Sequence, residues 1–336
     1  MSWRQRSTYL LVRSTALGAG MLLLAGCSGP QSALDPAGRG AERIADLFWV
    51  MTAGSVVVWL AVIALALYAT RVPPEAHSRR RTNLLIIGGG AAIPTVVLAG
   101  LLVYGLALMP DLLAPAPEGS LRVAVSGEQW WWRVRYLRPD GEAVELANEI
   151  RLPVGEPVEF TLHSPDVIHS FWIPGLGGKM DMIPGRVTRL TLVPTRTGVF
   201  RGACAESCGT SHALMAFDVV VLEKDDFARW LAQQAAPAQK PAEPRAVHGR
   251  ELFLANGCGA CHTIRGIAAD GVVGPDLTHV GSRLSLGAGF LPNEPEAFVR
   301  WIAHTEEVKP GVHMPAFGML PAEDLQALAI YLDGLQ

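Results

Sequence analysis

Two long runs constrain this chain more than anything else in it. Leu47–Ala69 and Leu84–Met109 contain no charged residue. Each exceeds the ~20 residues that a helix needs to cross a bilayer. Buried helices of a soluble core are a poor reading at these lengths. Pro94 and the Gly88-Gly89-Gly90 run would also be costly in a soluble helix, whereas neighbouring helices repair such backbone inside a membrane. The intervening stretch carries Arg71, Arg79, Arg80 and Arg81 against Glu75. Positive charge marks the cytoplasmic side. The chain is therefore predicted to span at 47–69, turn in the cytoplasm over 70–83 and return over 84–109. Everything after Pro110 then lies outside. The 50% hydrophobic composition excludes disorder. With 28 Lys+Arg against 31 Asp+Glu and a net charge of −3, no basic excess is available for nucleic acid.

The N-terminus supports the same topology. Arg4, Arg6 and Arg13 precede an apolar run that ends Leu24-Ala25-Gly26-Cys27. A basic start, a short apolar core and small residues read as an export signal over 1–26. The tail resembles a bacterial lipobox, which implies that Cys27 is lipidated and begins an exported segment, 27–46. The alternatives are an ordinary signal peptide or a start anchor with an incidental Cys27.

From residue 118 to 223 the pattern changes to short alternating runs punctuated by Pro and Gly. Val158–His163 alternates cleanly, and Leu121–Val125, Val187–Leu192 and Asp218–Leu222 also read as strands. Turn signals recur at Pro139-Asp140-Gly141, Pro153-Val154-Gly155 and Pro174-Gly175. This predicts a small β-sandwich or barrel. Within it, Cys204, Cys208, His212 and Met215 fall close together. Soft sulfur with imidazole selects copper or zinc over hard cations. Structural zinc has little use for a thioether, so the Met points to a copper electron-transfer site. A Cys204–Cys208 disulfide, the bland alternative for an exported domain, leaves His212 and Met215 unexplained. His163 is a competing histidine, but its place on an alternating strand reads as surface.

Residues 224–245 comprise a helix, Lys224–Gln234, and a Pro/Ala-rich stretch from Ala235 to Arg245. The stretch reads as a semi-extended linker. Its eleven residues could reach about 34 Å if polyproline-like. Over 246–336 the decisive run is Cys258-Gly259-Ala260-Cys261-His262. C-x-x-C-H is the attachment signature of c-type haem: the two cysteines form thioethers and His262 binds the iron. Helices are predicted over Val247–Ala255 and Pro321–Leu335, the latter with Leu325, Leu328, Ala329 and Leu332 at helical spacing. The segment holds five basic and ten acidic residues. Such an acidic face could attract a basic donor or simply be solvated.

Several pieces in order carry a resemblance. They are Gly127-Glu128-Gln129-Trp130-Trp131-Trp132, Asp166-Val167-Ile168-His169-Ser170-Phe171, Lys179–Arg186 and the Cys204–Met215 loop, preceded by the two spans. Together they resemble subunit II of haem-copper cytochrome c oxidases. Lys309–Pro315 and Gly274-Pro275-Asp276-Leu277 resemble class I cytochrome c. The combination resembles the caa3-type oxidases. It implies a multidomain membrane protein: a two-helix transmembrane hairpin, an all-β Greek-key cupredoxin domain and an all-α class I cytochrome c domain. It implies a binuclear CuA centre of two coppers bridged by Cys204 and Cys208, with His169 and His212 each on one copper. Met215 and the backbone carbonyl of Glu206 would be weak outer ligands, and the Glu206 side chain could hold Mg²⁺ at the interface with subunit I. Trp130 would be the exposed point where electrons enter from cytochrome c, and in this chain it would receive them mainly from the tethered haem. One covalent haem c would be held by Cys258, Cys261 and His262. Met314 is expected as distal ligand, with Met319 and His313 as runners-up. In the cytochrome family the two predicted helices cross where Gly249 allows close approach.

The resemblance further implies electron flow from an external cytochrome c or bc-type complex to haem c, to CuA and to subunit I, where oxygen becomes water. Subunits I and III would be partners in a bacterial inner (plasma) membrane, both exported domains lying on the periplasmic side. This chain departs from the family in its second span, where Leu84-Leu85-Ile86-Ile87-Gly88 carries no carboxylate, so another subunit would supply proton entry. A CuA-containing nitric oxide reductase subunit is the alternative. A nitrous oxide reductase would need a large histidine-rich domain. A copper-delivering lipoprotein has no use for a covalent haem, and quinol oxidase subunits lack the copper ligands.

Overall fold

The computed structural model describes residues 28–73, 78–138 and 141–336. The expected signal, Cys27, Glu75 and the Pro139-Asp140 half of one turn lie outside these residues. Two helices, α1 (Arg39–Arg71) and α2 (Arg79–Leu112), have the length and apolar composition of membrane spans. Their large apolar side chains are open to the surroundings, including Trp59, Leu98 and Val103. Water would not tolerate apolar area on this scale, whereas lipid covers it. The first helix begins ahead of its uncharged run, because Arg39, Glu42, Arg43 and Asp46 form polar opening turns with Glu42 near the positive helix end. The second widens over Leu84–Ala92, where the N–H of Ile93 donates to Gly88 O, five residues back. This wide turn coincides with the three glycines and ends at Pro94, whose missing N–H cannot continue the ordinary ladder.

The β-domain is a sandwich of two five-stranded sheets among the described residues, ordered β3-β2-β1-β5-β8 and β4-β10-β9-β6-β7. The strands are β1 (Leu121–Glu128), β2 (Trp131–Leu137), β3 (Ala143–Ala147), β4 (Glu149–Pro153), β5 (Val158–His163), β6 (His169–Trp172), β7 (Met180–Met182), β8 (Thr188–Leu192), β9 (Gly198–Cys204) and β10 (Ala216–Leu222). Parallel β1–β5 and β10–β4 pairs interrupt otherwise antiparallel ladders, as a Greek-key cupredoxin requires. Alternation does the sorting: Val158, Phe160 and Leu162 point into the core while His163 is exposed. Trp132 meets Phe171 and Phe217 edge-on, and Phe171 stacks on Phe217 at 4.9 Å between ring centres. Gly202 makes room for this cluster, since a Cβ there would lie 2.0 Å from the Phe217 ring. Residues 28–41 also belong to this body. Ala37 is fully buried, its N–H donates to Gly175 O and its carbonyl accepts from Thr195.

Helix α3 (Lys224–Ala235) packs Phe227 and Trp230 onto Tyr136. The following segment has extended backbone at Ala236 and Glu243 and no helix or strand between them, but it is held by the haem-motif domain and not free. Ala238 N donates to Arg265 O, Arg265 Nη2 donates to Gln234 O and His279 Nε2 lies 2.9 Å from Ala236 O. The haem-motif domain supplies the partners that the linker backbone needs, so the stretch lies along that domain. Helix α4 (Pro244–Ala255) starts at Pro244, ahead of the expected Val247. Proline suits a first helical position, and the Glu243 carboxylate accepts from Ala246 N as its cap. Helices α5 (Pro295–Ala303), α6 (Thr305–Val308) and α7 (Ala322–Asp333) complete an all-helical core with a short hairpin, β11 (Ser285–Leu286) and β12 (Leu291–Pro292). α4 crosses α7 at Gly249, where a Cβ would lie 2.0 Å from Ala327 O.

Candidate metal and haem sites

The sandwich brings the sulfur and imidazole donors of three separate segments to one point. Cys204 closes β9, His169 opens β6, and the loop between β9 and β10 carries Cys208, His212 and Met215. Cys204 N donates to Met215 O and Ala205 N to Ser170 O, which fixes both ends of that loop. The Cys204 and Cys208 sulfurs lie 3.8 Å apart, well beyond the ~2.05 Å of a disulfide. Cys204 Sγ is 3.8 Å from His169 Nδ1 and 3.2 Å from Glu206 O. Cys208 Sγ is 3.4 Å from His212 Nδ1 and 3.8 Å from Met215 Sδ. The donor atoms of His169, Cys204 and Cys208 all lie within 4.8 Å of one another, and these three residues are buried. Two thiols shared between flanking imidazoles, with a thioether and a carbonyl further out, fit soft metal and exclude a hard cation from the cluster. The hydrogen bond with Cys208 draws the Cys204 thiol down, and Cys208 is pushed up in turn. Cys204 is thus the readier thiolate, and a metal would have to displace the proton that Cys208 keeps.

A neighbour that sequence reasoning missed orients this cluster. Asp166 Oδ1 lies 2.8 Å from His169 Nε2, so the other ring nitrogen faces the sulfurs. Burial opposes the charge on Asp166. The N–H groups of Val167 and Gln129 outweigh it and hold the carboxyl below its ordinary range. The signal was present: Asp166 stands three residues before His169, and metal-bound histidines commonly need such a partner. The Glu206 side chain is half-exposed beside Lys179 Nζ at 3.6 Å, away from the sulfurs.

The second site is an apolar cavity in the helical domain, lined by Phe253, Leu277, Ile302 and Leu328 with Cys258, His262 and Met314. His262 Nδ1 is 2.8 Å from Pro275 O, which turns Nε2 toward the cavity. Burial holds the His262 pKa below its usual value, which keeps the ring neutral for metal binding. Gly274 permits this placement, because a Cβ would lie 2.6 Å from the imidazole. Cys258 and Cys261 are free thiols at the rim. An apolar slot with imidazole and thioether at its walls and paired thiols at its edge fits a covalently held haem. Met319 is 77% exposed and His313 is also exposed, so neither reaches the slot.

Trp130 departs from the exposed position that the family resemblance implies, being 7% exposed. Its indole donates to Cys208 O at 2.9 Å, and its outer edge is covered by Gly311 of the helical domain. The domains meet through backbone groups that sequence patterns do not announce.

Comparison with known proteins agrees with both sites. Residues 138–223 match the family described as cytochrome C oxidase subunit II, periplasmic domain. Residues 246–336 match the cytochrome c family. The chain is 36% identical to cytochrome c oxidase subunit 2 of Alkalihalophilus pseudofirmus over 94% of each chain. It is 29% identical to the protein of that name from Bacillus subtilis, covering 94% of this chain and 95% of the relative. Neither name favours a nitric oxide reductase. A copper-type donor cluster, a haem-attachment site and full-length likeness converge: the chain belongs to the cytochrome c oxidase subunit II family, as a membrane-anchored member with a fused cytochrome c domain.

Proposed function

We propose that this chain passes electrons from an external donor to haem c, then to a binuclear copper centre, then to subunit I, where oxygen is reduced to water. When bound, haem and copper each supply a one-electron station. Cys258 and Cys261 would hold the haem covalently, with His262 and Met314 as its iron ligands. Cys204, Cys208, His169 and His212 would hold the two coppers, with Met215 and the Glu206 carbonyl as weaker ligands. The rigid sandwich holds these side chains still, which would keep rearrangement small when an electron arrives. The single observation that carries this reading is the convergence of both thiols, both imidazoles and the thioether around one buried point.

Two observations support the membrane arrangement. The arginine-rich turn suits the cytoplasmic side, and residues 28–41 pack on the β-domain, which supports a common side for that segment and that domain. We read this as the outer face of a bacterial plasma membrane, with Cys27 as a lipid anchor and subunits I and III as partners. The half-exposed Glu206 carboxylate suits Mg²⁺ at the subunit I interface. The experiment is metal and haem analysis of the purified chain. Two coppers with a mixed-valence spectrum and one covalent haem are expected; one copper, or zinc, overturns the binuclear centre.

A further inference from the structure

Lys309 is 1% exposed, yet its ammonium donates to three backbone carbonyls: Trp130 O at 2.7 Å, Leu214 O at 2.8 Å and Gly287 O at 2.8 Å. An ammonium has three N–H donors and a neutral amine only two. Three acceptors match the charged side chain and work against burial, which draws its pKa down to about 7. Trp130 and Leu214 belong to the β-domain, whereas Gly287 and Lys309 belong to the cytochrome domain. Leu214 immediately precedes Met215, and Lys309 begins the loop that leads to Met314. One side chain thus ties together the approaches to both redox sites.

The surrounding contacts are equally specific. Pro310 O accepts from Ser211 Oγ at 2.6 Å. Gly311, with φ +83°, lies against the Trp130 ring, and a Cβ there would be 2.8 Å from it. The β11–β12 hairpin contributes Ala288 O to Ala216 N at 3.0 Å and Gly289 O to Arg201 Nη2 at 2.7 Å. Leu284 N donates to Glu149 Oε2 at 2.7 Å. Backbone pairing of this kind cannot slide by one residue without leaving polar groups unpaired. A greasy contact could slide.

We propose that Lys309 is the positioning residue for electron transfer between the domains: it clamps the Met314-bearing loop onto Trp130. Contacts then run from that loop through Gly311 and the Trp130 ring to Cys208 O. The clamp also closes Trp130 to an external donor. The proposal rests on the function given above, because it needs haem and copper at the two sites.

The test uses the intact oxidase complex carrying Lys309→Met. Haem-to-copper transfer is followed by rapid optical methods, and hydrogen exchange is followed over Gln129–Arg133 and Ser285–Pro292. Transfer should slow by about tenfold or more as a held dock becomes a tethered search. Exchange should quicken in both segments, with haem and copper spectra unchanged. Lys309→Arg, which keeps the charge and several donors, should recover part of the rate. An unchanged rate overturns the proposal, whether or not exchange quickens. Should Lys309→Met lose either spectrum, Gly311→Val decides, because it wedges the ring contact while leaving the lysine in place. Slowed transfer with both spectra intact then supports the clamp, and an unchanged rate overturns it. Missing haem or copper in the unsubstituted complex would instead sink the function on which the clamp rests.

Discussion

The Trp130 indole N–H and the Gln129 side-chain amide both donate to the carbonyl of Cys208, at 2.9 and 2.7 Å. The ring therefore touches the peptide unit of a proposed copper bridge, while its far edge meets the cytochrome domain. Trp130→Phe keeps an aromatic ring but removes the donor. Breaking the contact with Cys208 O should slow copper reduction. Trp130→Ala removes the ring and should slow it by more than Trp130→Phe does. Rapid-mixing measurements on the complex check this, with the copper spectrum as control. Equal rates in all three proteins would remove Trp130 from the path.

Asp166 provides a separate handle on the copper site. Asp166→Asn keeps the shape but weakens the acceptor that faces His169 Nε2. Losing such an outer partner typically costs 10–100-fold in metal affinity. Copper should therefore be stripped by a chelator at about a tenth of the concentration that the natural chain withstands, or less. The haem should stay in place, because Asp166 touches only the β-domain among its described partners.

The two sites differ in how much of them the sequence revealed. Cys204, Cys208, His212 and Met215 crowd one loop, so their chemistry was visible in spacing alone. His169 stands well upstream, and only likeness to a known family joined it to the loop. The β-strands were legible because Val158–His163 alternates, and α7 because its leucines recur at helical spacing. The dock between domains left no such trace. In the sequence Lys309 only opens a run that resembles class I cytochrome c, and its three partners come from residues 130, 214 and 287. Backbone carbonyls carry no side-chain signature, so their convergence exists only in the folded chain. The extended form of the short alanine- and proline-rich stretch was legible, but its docking was not, because its partners, Arg265 and His279, lie far along the sequence.

Gly249 should report on the cytochrome domain alone. A methyl at this position would meet Ala327 O at 2.0 Å, and backbone cannot give way as a side-chain tip can. Gly249→Ala should destabilise the domain by about 1–3 kcal/mol, the usual cost of overpacking. The β-domain core and the helical core are separate clusters. Thermal unfolding followed at the haem band should therefore shift downward while the copper band keeps its transition. A shared shift would mean that the two domains unfold as one.

Removing residues 246–336 tests the electron route as a whole. The β-domain core is built from strands and from Phe227 and Trp230 of α3, all of which the truncation retains, so the copper centre should assemble. The cut removes Gly311, Lys309 and the hairpin, and so uncovers the outer edge of Trp130. A small diffusible reductant should then reduce copper faster than in the full chain. Oxidation of the native donor should fall by about tenfold or more, because transfer through a tethered haem gives way to chance encounter at low effective concentration. The paired readouts separate the possibilities: faster artificial reduction shows that the ring was covered, and slower native oxidation shows that the haem fed it. Native donor oxidation at the full rate in the truncated complex would place the fused haem off the main path.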